Sequence, residues 1–221
     1  MDSQILQLIE GLDEDASTVT KIDELLARLL PSIEKLHVSR YVSPELQLFL
    51  DLQDDFRTNL TNALVEVYRN DEWNAEQVLV ANRVLQGLLM IHPALRVVFH
   101  RQRNMASIIK YLGHEDMEVA KSTIITLIHV MINDLQNFRM FESAGGCSAL
   151  IKRFDLDRQD QQNLNYKVIE FLLFYLVDEE GGPEALTGAQ KLELFRSDFA
   201  DIDWLVESLN DMKAELGTIR E

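Results

Sequence analysis

The chain has 221 residues, of which 47% are apolar, and its 37 acidic and 21 basic side chains give a formal net charge of −16. This length and apolar content suffice for one large domain or one short helical array, whereas the negative charge disfavours nucleic acids and anionic membranes as main partners. No stretch approaches the roughly 18 apolar residues of a membrane span, and the first ten residues lack the basic start of a signal peptide, so we expect no membrane insertion.

Apolar residues recur with a helical period along the chain, and no segment of useful length alternates with period two. We therefore predict an all-α protein without strands. A weak helix opens the chain, and a second helix should cover 18–36. Pro31 should break or kink this second helix, because an interior proline costs roughly 3 kcal/mol. Residues 1–42 are assigned to divergent N-terminal helices.

Local capping signals predict where the next helices begin. The Ser43-Pro44-Glu45 sequence combines a serine cap, a proline at the first helical position and an acid in the first turn, so a long helix should run from there to about residue 68. Asn74, with a glutamine three residues later, predicts a capping box for a helix that Pro93 ends. Further helices are expected near 93–101, 104–112, 116–133, 135–143, 146–154 and 160–177.

The middle of the chain contains a repeat, because apolar residues align with residues 42 positions later. A helical period of about 40–47 residues is typical of armadillo and HEAT arrays, whose units bury their apolar faces against one another. We predict an all-α, armadillo/HEAT-like right-handed superhelix of about three repeats over 1–177, an architecture that binds other proteins. The aligned pairs are Phe99 with Phe141, Leu85 with Leu127, Leu89 with Met131, Ile108 with Leu150, Ile109 with Ile151, Lys110 with Lys152, and Leu112 with Phe154.

The C-terminal segment, 178–221, contains twelve acids and only four bases. It follows the clearest break in the chain, at 179–188. We predict an acidic helical cap that packs on the end of the repeats and stays solvated. Reversing the charge of Lys191 and Lys213 in this cap should matter little for partner binding. Its predicted helices are one capped by Thr187 and Gln190 that ends near Phe199, and a last one over 202–216.

Several stretches of the chain resemble known families. Residues 137–146 (NFRMFESAGG), followed by Ala149, Leu150 and Ile151, resemble an armadillo unit in which two glycines allow a sharp turn between helices. A longer resemblance, over about 43–209, is to the fungal cell division control protein 14 family of the septation initiation network, which is distinct from the phosphatase of the same designation. It is carried by 49–56 (FLDLQDDF), 85–93 (LQGLLMIHP), 170–176 (EFLLFYL) and 203–209 (DWLVESL).

This resemblance implies a non-catalytic partner of a Ste20-like, germinal-centre class protein kinase. The family implies that the complex acts at the spindle pole body to promote septum formation and cytokinesis. Where the family has a Gly-Arg-Tyr-Leu-like step before the last of these stretches, this chain has 195–199 (FRSDF).

An enzymatic interpretation rests on Cys147 and Arg153, which have the Cys-x5-Arg spacing of a tyrosine phosphatase. That chemistry needs a low-pKa thiolate in a loop whose amides cradle phosphate, but the intervening residues contain no glycine and continue a helical pattern. We therefore interpret Cys147 as a buried apolar residue. It is the single cysteine of the chain and cannot form an internal disulfide, so we expect a reducing, cytoplasmic environment. The five histidines, His37, His92, His100, His114 and His129, are too scattered for a zinc site. We expect no catalytic, cofactor-binding or metal-binding residues.

One window, 81–114, contains five bases and no acid: Arg83, Arg96, Arg101, Arg103 and Lys110. Such a basic island on an acidic protein would steer an acidic or phosphorylated partner segment, although ordinary solvated helix ends would give the same pattern. From it we select Arg96, Arg101, Arg103 and Lys110 as candidate partner-binding residues. Trp204 is a further candidate, because tryptophan often anchors interfaces, but we favour a role in docking its own helix.

These observations predict a non-catalytic scaffold that binds a Ste20-like kinase in septation signalling, with recruitment to the spindle pole body implied by the resemblance. The alternative is a generic armadillo-repeat adaptor for cytoskeletal or trafficking proteins. A small phosphatase is a distant third interpretation.

Overall fold

A computed structural model describes residues 1–15, 17–69, 73–180 and 185–209, except the side chains of residues 13, 14, 36 and 37. The structure is 77% helical, and none of the described residues forms a strand, which confirms the all-α prediction. The chain divides into two compact units, unit 1 (Met1–Ala144) and unit 2 (Gly145–Glu221). The predicted division into a repeat domain over 1–177 and a cap over 178–221 stays a prediction.

Unit 1 is built around α5 (Ala75–Ile91), which packs against α2 (Thr18–Ser39) and α7 (Met117–Met131). Its described helices are α1 (Asp2–Glu14), α2 (Thr18–Ser39), α3 (Pro44–Asp54), α4 (Leu60–Tyr68), α5 (Ala75–Ile91), α6 (Gln102–Ile109), α7 (Met117–Met131) and α8 (Leu135–Ser143). Two 3₁₀ helices, Pro93–His100 and Lys110–Gly113, flank α6.

Of the break or kink expected at Pro31, the break does not occur, because α2 continues through this residue to Ser39. Proline cannot donate a backbone hydrogen bond to the carbonyl four residues earlier, which belongs to Ala27. Both residues are exposed, so water can satisfy that carbonyl and the cost of the proline is reduced.

The long helix predicted after Ser43 is also wrong, because α3 and α4 are separated by a corner at 55–59. Buried side chains hold this corner. The amide of Gln53 donates to the Thr58 carbonyl over 3.2 Å, and the amide of Asn59 donates to the Gln53 carbonyl over 2.6 Å. These bonds satisfy main-chain groups that leave the helix, so the turn can be buried.

The predicted capping signals are confirmed. Ser43 accepts from the backbone N–H of Leu46 at the start of α3. Both bonds of the capping box are present between Asn74 and Gln77, as they are between Thr187 and Gln190. Caps of this kind are local in sequence, which is why they can be predicted without tertiary information.

Unit 2 has an aromatic core in which the ring of Tyr175 stacks on Phe171 at 5.8 Å and meets Phe195 edge-on at 5.6 Å. Its described helices are α9 (Gly146–Ile151), a 3₁₀ turn (Gln159–Gln161), α10 (Gln162–Tyr175), α11 (Gly188–Arg196) and α12, over 202–209. Helix α11 ends before the predicted residue 199, and the rest of the last predicted helix lies outside the described residues. Gly145 precedes α9 with a φ of +78°, a conformation that favours glycine.

The aligned members of the 42-residue repeat share their burial. All of the aligned apolar residues are buried, whereas Lys110 and Lys152 are both exposed. Met105 and Cys147, which align at the same offset, are also both buried. Equivalent burial is what a structural repeat requires, although the armadillo superhelix itself remains a prediction.

Candidate protein-binding surface

A groove of about 300 Å³ lies on unit 1 where α1, the 55–59 corner, α4 and the start of α6 come together. We call it the α4–α6 groove. Its apolar lining comes from Ile9, Phe56 and Ala63, and the Phe56 side chain is 79% exposed. Its charged lining consists of Arg57, Arg101, Arg103 and Glu66. The groove therefore combines an exposed aromatic ring with three arginines.

Two of the sequence-predicted residues, Arg101 and Arg103, come together in this groove. Both are exposed, and neither guanidinium has an acidic or carbonyl partner among the residues that the structure describes. The other charges are already paired. Arg57 forms an ion pair with Asp55 at 2.9 Å, and Glu66 pairs with Arg69. The hydrogen bonds from the Arg57 side chain and backbone N–H hold the pKa of the Asp55 carboxyl below its usual value.

The walls of the groove are fixed by two buried asparagines. The side-chain amide of Asn59 donates to the Gln53 carbonyl in the corner, and its oxygen accepts from the backbone N–H of Asn62. This second bond caps the start of α4. The amide of Asn104 donates to the Val98 carbonyl over 2.7 Å, and its oxygen accepts from Arg69. Because these amides are committed to the fold, they hold the groove in place and leave recognition to the arginines and to Phe56.

The remaining predicted bases lie elsewhere and are tied to the protein. Arg96 is half-buried and donates from Nε to the carbonyl of His129 over 2.9 Å. Burial lowers the pKa of this guanidinium, against the opposing effect of the Asp134 carboxylate. Arg83 forms an ion pair with Asp23 of α2 at 2.6 Å. Lys110 is exposed and lies over the ring of Tyr111 at 5.0 Å.

Trp204 does not dock its own helix. Helix α12 buries Ile202, Leu205 and Leu209, whereas the Trp204 side chain is 58% exposed. The docking role that we favoured for Trp204 is therefore wrong, and the ring stays accessible at the surface of unit 2.

Lys191 contradicts the prediction of a uniformly solvated acidic cap. Its side chain is 1% exposed, and Nζ forms an ion pair with Glu179 at 3.1 Å. The same ammonium donates to the carbonyls of Tyr175 and Val177, each over 2.8 Å. Lys191 thereby joins α11 to the end of α10, so reversing its charge cannot be harmless. The other lysine of that prediction, Lys213, lies outside the described residues.

The environment of Cys147 agrees with the apolar interpretation. Cys147 is buried, with its sulfur 3.7 Å from the hydroxyl of Tyr175. The residues that follow it form α9, and from Ala149 onward their N–H groups bond along the helix, as from Ala149 to the Gly145 carbonyl and from Lys152 to the Ser148 carbonyl. Amides committed in this way do not form a phosphate-cradling loop.

The described histidine side chains make contacts within the fold. His92 lies 2.7 Å from a carboxylate oxygen of Asp54, and His100 lies 2.9 Å from one of Asp134. Asp116, two residues after His114, caps α7. Within the described ranges, no group of three or more histidine, cysteine or acidic side chains is arranged to hold a metal ion.

Sequence reasoning missed Phe56 and Arg57 as surface residues. Both fall within the long helix predicted to run from Ser43 to about residue 68, so neither was singled out. The available signal was the polar Thr58-Asn59 pair, which precedes an apolar run in the manner of a helix N-terminus.

None of the helices that the structure describes is, by itself, both long and apolar enough to cross a membrane. Helix α5 and the 3₁₀ helix after it reach the required length and composition only together, and they are bent by 118°. Most of the apolar residues of α5 are buried within the protein.

Comparison with known proteins identifies the family. No curated protein and no solved structure matches the chain. A model of the family described as cell division control protein 14, SIN component, matches residues 30–187, which is more than two thirds of the sequence. SIN denotes the septation initiation network. The chain thus belongs to the cell division control protein 14 family, a component of the network that controls septation in cell division.

Proposed function

We propose that this protein is a non-catalytic scaffold that binds a Ste20-like, germinal-centre class protein kinase in septation signalling and so promotes septum formation and cytokinesis. Membership of the cell division control protein 14 family carries this proposal. The equivalent burial of the repeat pairs supports an armadillo-like superhelix of about three repeats, an architecture whose extended surfaces bind other proteins. Recruitment from the cytoplasm to the spindle pole body forms part of the same proposal.

The proposed kinase-binding surface is the basic part of unit 1, residues 81–114. Arg101 and Arg103 support this choice, because they are exposed and not committed to the fold. Lys110 would add to the same positive field. Arg96 would act from a half-buried position, and Trp204 would supply a separate aromatic contact from unit 2.

A pull-down from cell lysate tests the proposal when the captured proteins are identified. We expect a Ste20-like kinase to be enriched, and to be bound directly when both proteins are purified. Enrichment of cytoskeletal or trafficking proteins without such a kinase would instead indicate the generic adaptor. Activity of the purified protein on a chromogenic phosphatase substrate, lost in Cys147→Ser, would contradict the non-catalytic assignment.

A further inference from the structure

The α4–α6 groove has a composition that selects among anionic ligands. Its bases are three arginines and no lysine: Arg57, Arg101 and Arg103. The planar guanidinium donates two parallel hydrogen bonds and therefore matches phosphate and carboxylate groups better than an ammonium does. The lining also includes the exposed ring of Phe56, which offers an apolar contact beside these charges.

The arginines occupy an electrostatically unfavourable place in the fold. Arg101 precedes the first residue of α6 and Arg103 lies in its first turn, where the helix dipole favours acids and disfavours bases. Helix α6 has neither a side-chain cap nor an acid in its first turn. Helices α5 and α7, in contrast, each have both. An anion placed between the two arginines would compensate the unfavourable charges at this helix start.

The net charge of the protein decides between two anionic ligands. A segment rich in aspartate and glutamate carries its negative charge over its whole length, so a protein with a net charge of −16 repels most of it. A phosphorylated serine or threonine concentrates a charge of about −1.5 to −2 at one point, where several guanidinium groups can reach it. The groove therefore favours phosphate over distributed carboxylates.

We propose that the α4–α6 groove binds a protein segment in which a phosphorylated serine or threonine lies next to a bulky apolar residue. Arg101 and Arg103 bind the phosphate, and Phe56 contacts the apolar residue. Asn59 and Asn104 hold the two walls through their buried amide hydrogen bonds. The inference rests on the proposed function, because it names what the kinase partner would present to this surface.

Three peptide pools test the inference directly on the immobilised full chain. They are identical, with degenerate flanks, except for a central residue fixed as phosphoserine, glutamate or serine. We expect the phosphoserine pool to be retained about tenfold more than the serine pool, with the glutamate pool close to serine. Sequencing of the retained peptides should show enrichment of a bulky apolar residue beside the phosphoserine.

Variants then assign the retained peptides to the groove. Arg101→Glu/Arg103→Glu should abolish the preference for phosphoserine. Phe56→Ala should keep that preference but lose the apolar enrichment. The matched control is Arg28→Glu/Lys35→Glu, which makes the same charge change at exposed positions of α2 and should leave retention unchanged. Thermal melting of each variant separates loss of binding from loss of folding.

Equal retention of the phosphoserine and serine pools would overturn the proposal, as would equal losses in the groove variant and the α2 control. Equal retention of the glutamate and phosphoserine pools would overturn the assignment to phosphate. Apolar enrichment that persists in Phe56→Ala would overturn the role of Phe56. If the pools fail while the kinase is still captured, the inference fails and the proposed function stands. If the pools bind as expected but no kinase is captured, the inference stands and the proposed function fails.

Discussion

Certain cations in the basic part of unit 1 (residues 81–114) and in the acidic C-terminal part of unit 2 differ in their availability to a partner, against what local charge would suggest. In the basic part, Arg101 and Arg103 are exposed, and neither guanidinium pairs with an acidic or carbonyl group among the described residues. In the acidic part, the lysine that looked dispensable, Lys191, is buried against Glu179 and two carbonyls. Counting charges along the chain therefore predicts the sign of the local field, but it does not show which side chains are available to a partner.

The largest effect that this comparison predicts is for Lys191→Glu. Removing one partner of a buried ion pair costs about 3–5 kcal/mol, and the reversal also places a second carboxylate beside Glu179. We expect unit 2 to lose at least about 5 kcal/mol of stability, or not to fold. Urea denaturation followed by far-UV circular dichroism measures this loss.

Lys167→Glu is the matched control for that reversal, because Lys167 pairs with Glu170 at a more exposed position of the same unit. Exposed ion pairs contribute about 0–1 kcal/mol, so a change of this size is expected. Equal and small effects of the two reversals would show that Lys191 is not a structural residue and would remove the contrast between the regions.

A second prediction compares the buried Lys191–Glu179 ion pair with the buried phenylalanines of the repeat. Phe99 and Phe141 are fully buried equivalents, so each Phe→Ala change should destabilise unit 1 by about 3–5 kcal/mol, because a ring is lost and a cavity remains. In a Trp204→Phe background, the fluorescence of the buried Trp73 follows unit 1 alone. Arg158→Ala, at an exposed position of unit 2, should change the stability of unit 2 by no more than about 0.5 kcal/mol, as followed by far-UV circular dichroism.

The two phenylalanines should also respond alike. A large loss at Phe99 together with a change near zero at Phe141 would break the equivalence on which the 42-residue repeat depends. Similar losses would support the equivalence of Phe99 and Phe141 and, with it, the proposed armadillo architecture.

Local features of this fold could be predicted from the sequence. The caps at Ser43, Asn74 and Thr187 depend on residues within three positions, and the buried members of the repeat follow from their period. The family resemblance also came from short stretches of sequence, and the family match confirms it.

Features that depend on distant or buried contacts could not be predicted. The 55–59 corner interrupts a continuing apolar period. The Thr58-Asn59 pair signals a helix start there, but the buried bonds from Gln53 and Asn59 to main-chain groups, which hold the corner, have no sequence signature. The burial of Lys191 depends on Glu179, which lies twelve positions earlier, across the clearest break in the chain. The α4–α6 groove required Phe56 to lie beside Arg101, although they are far apart in sequence.

The most direct test of the central claim measures how Arg101→Glu/Arg103→Glu/Lys110→Glu associates with the captured Ste20-like kinase at several salt concentrations. These residues are exposed, so thermal stability should stay close to that of the parent. The association rate at low salt should fall on the order of tenfold, and its dependence on salt should flatten, because surface charges act mainly on the encounter. Arg28→Glu/Lys35→Glu serves as the charge-matched control. An unchanged association rate at low salt in the triple variant would contradict the account and would place the kinase elsewhere, with the exposed Trp204 the next residue to test.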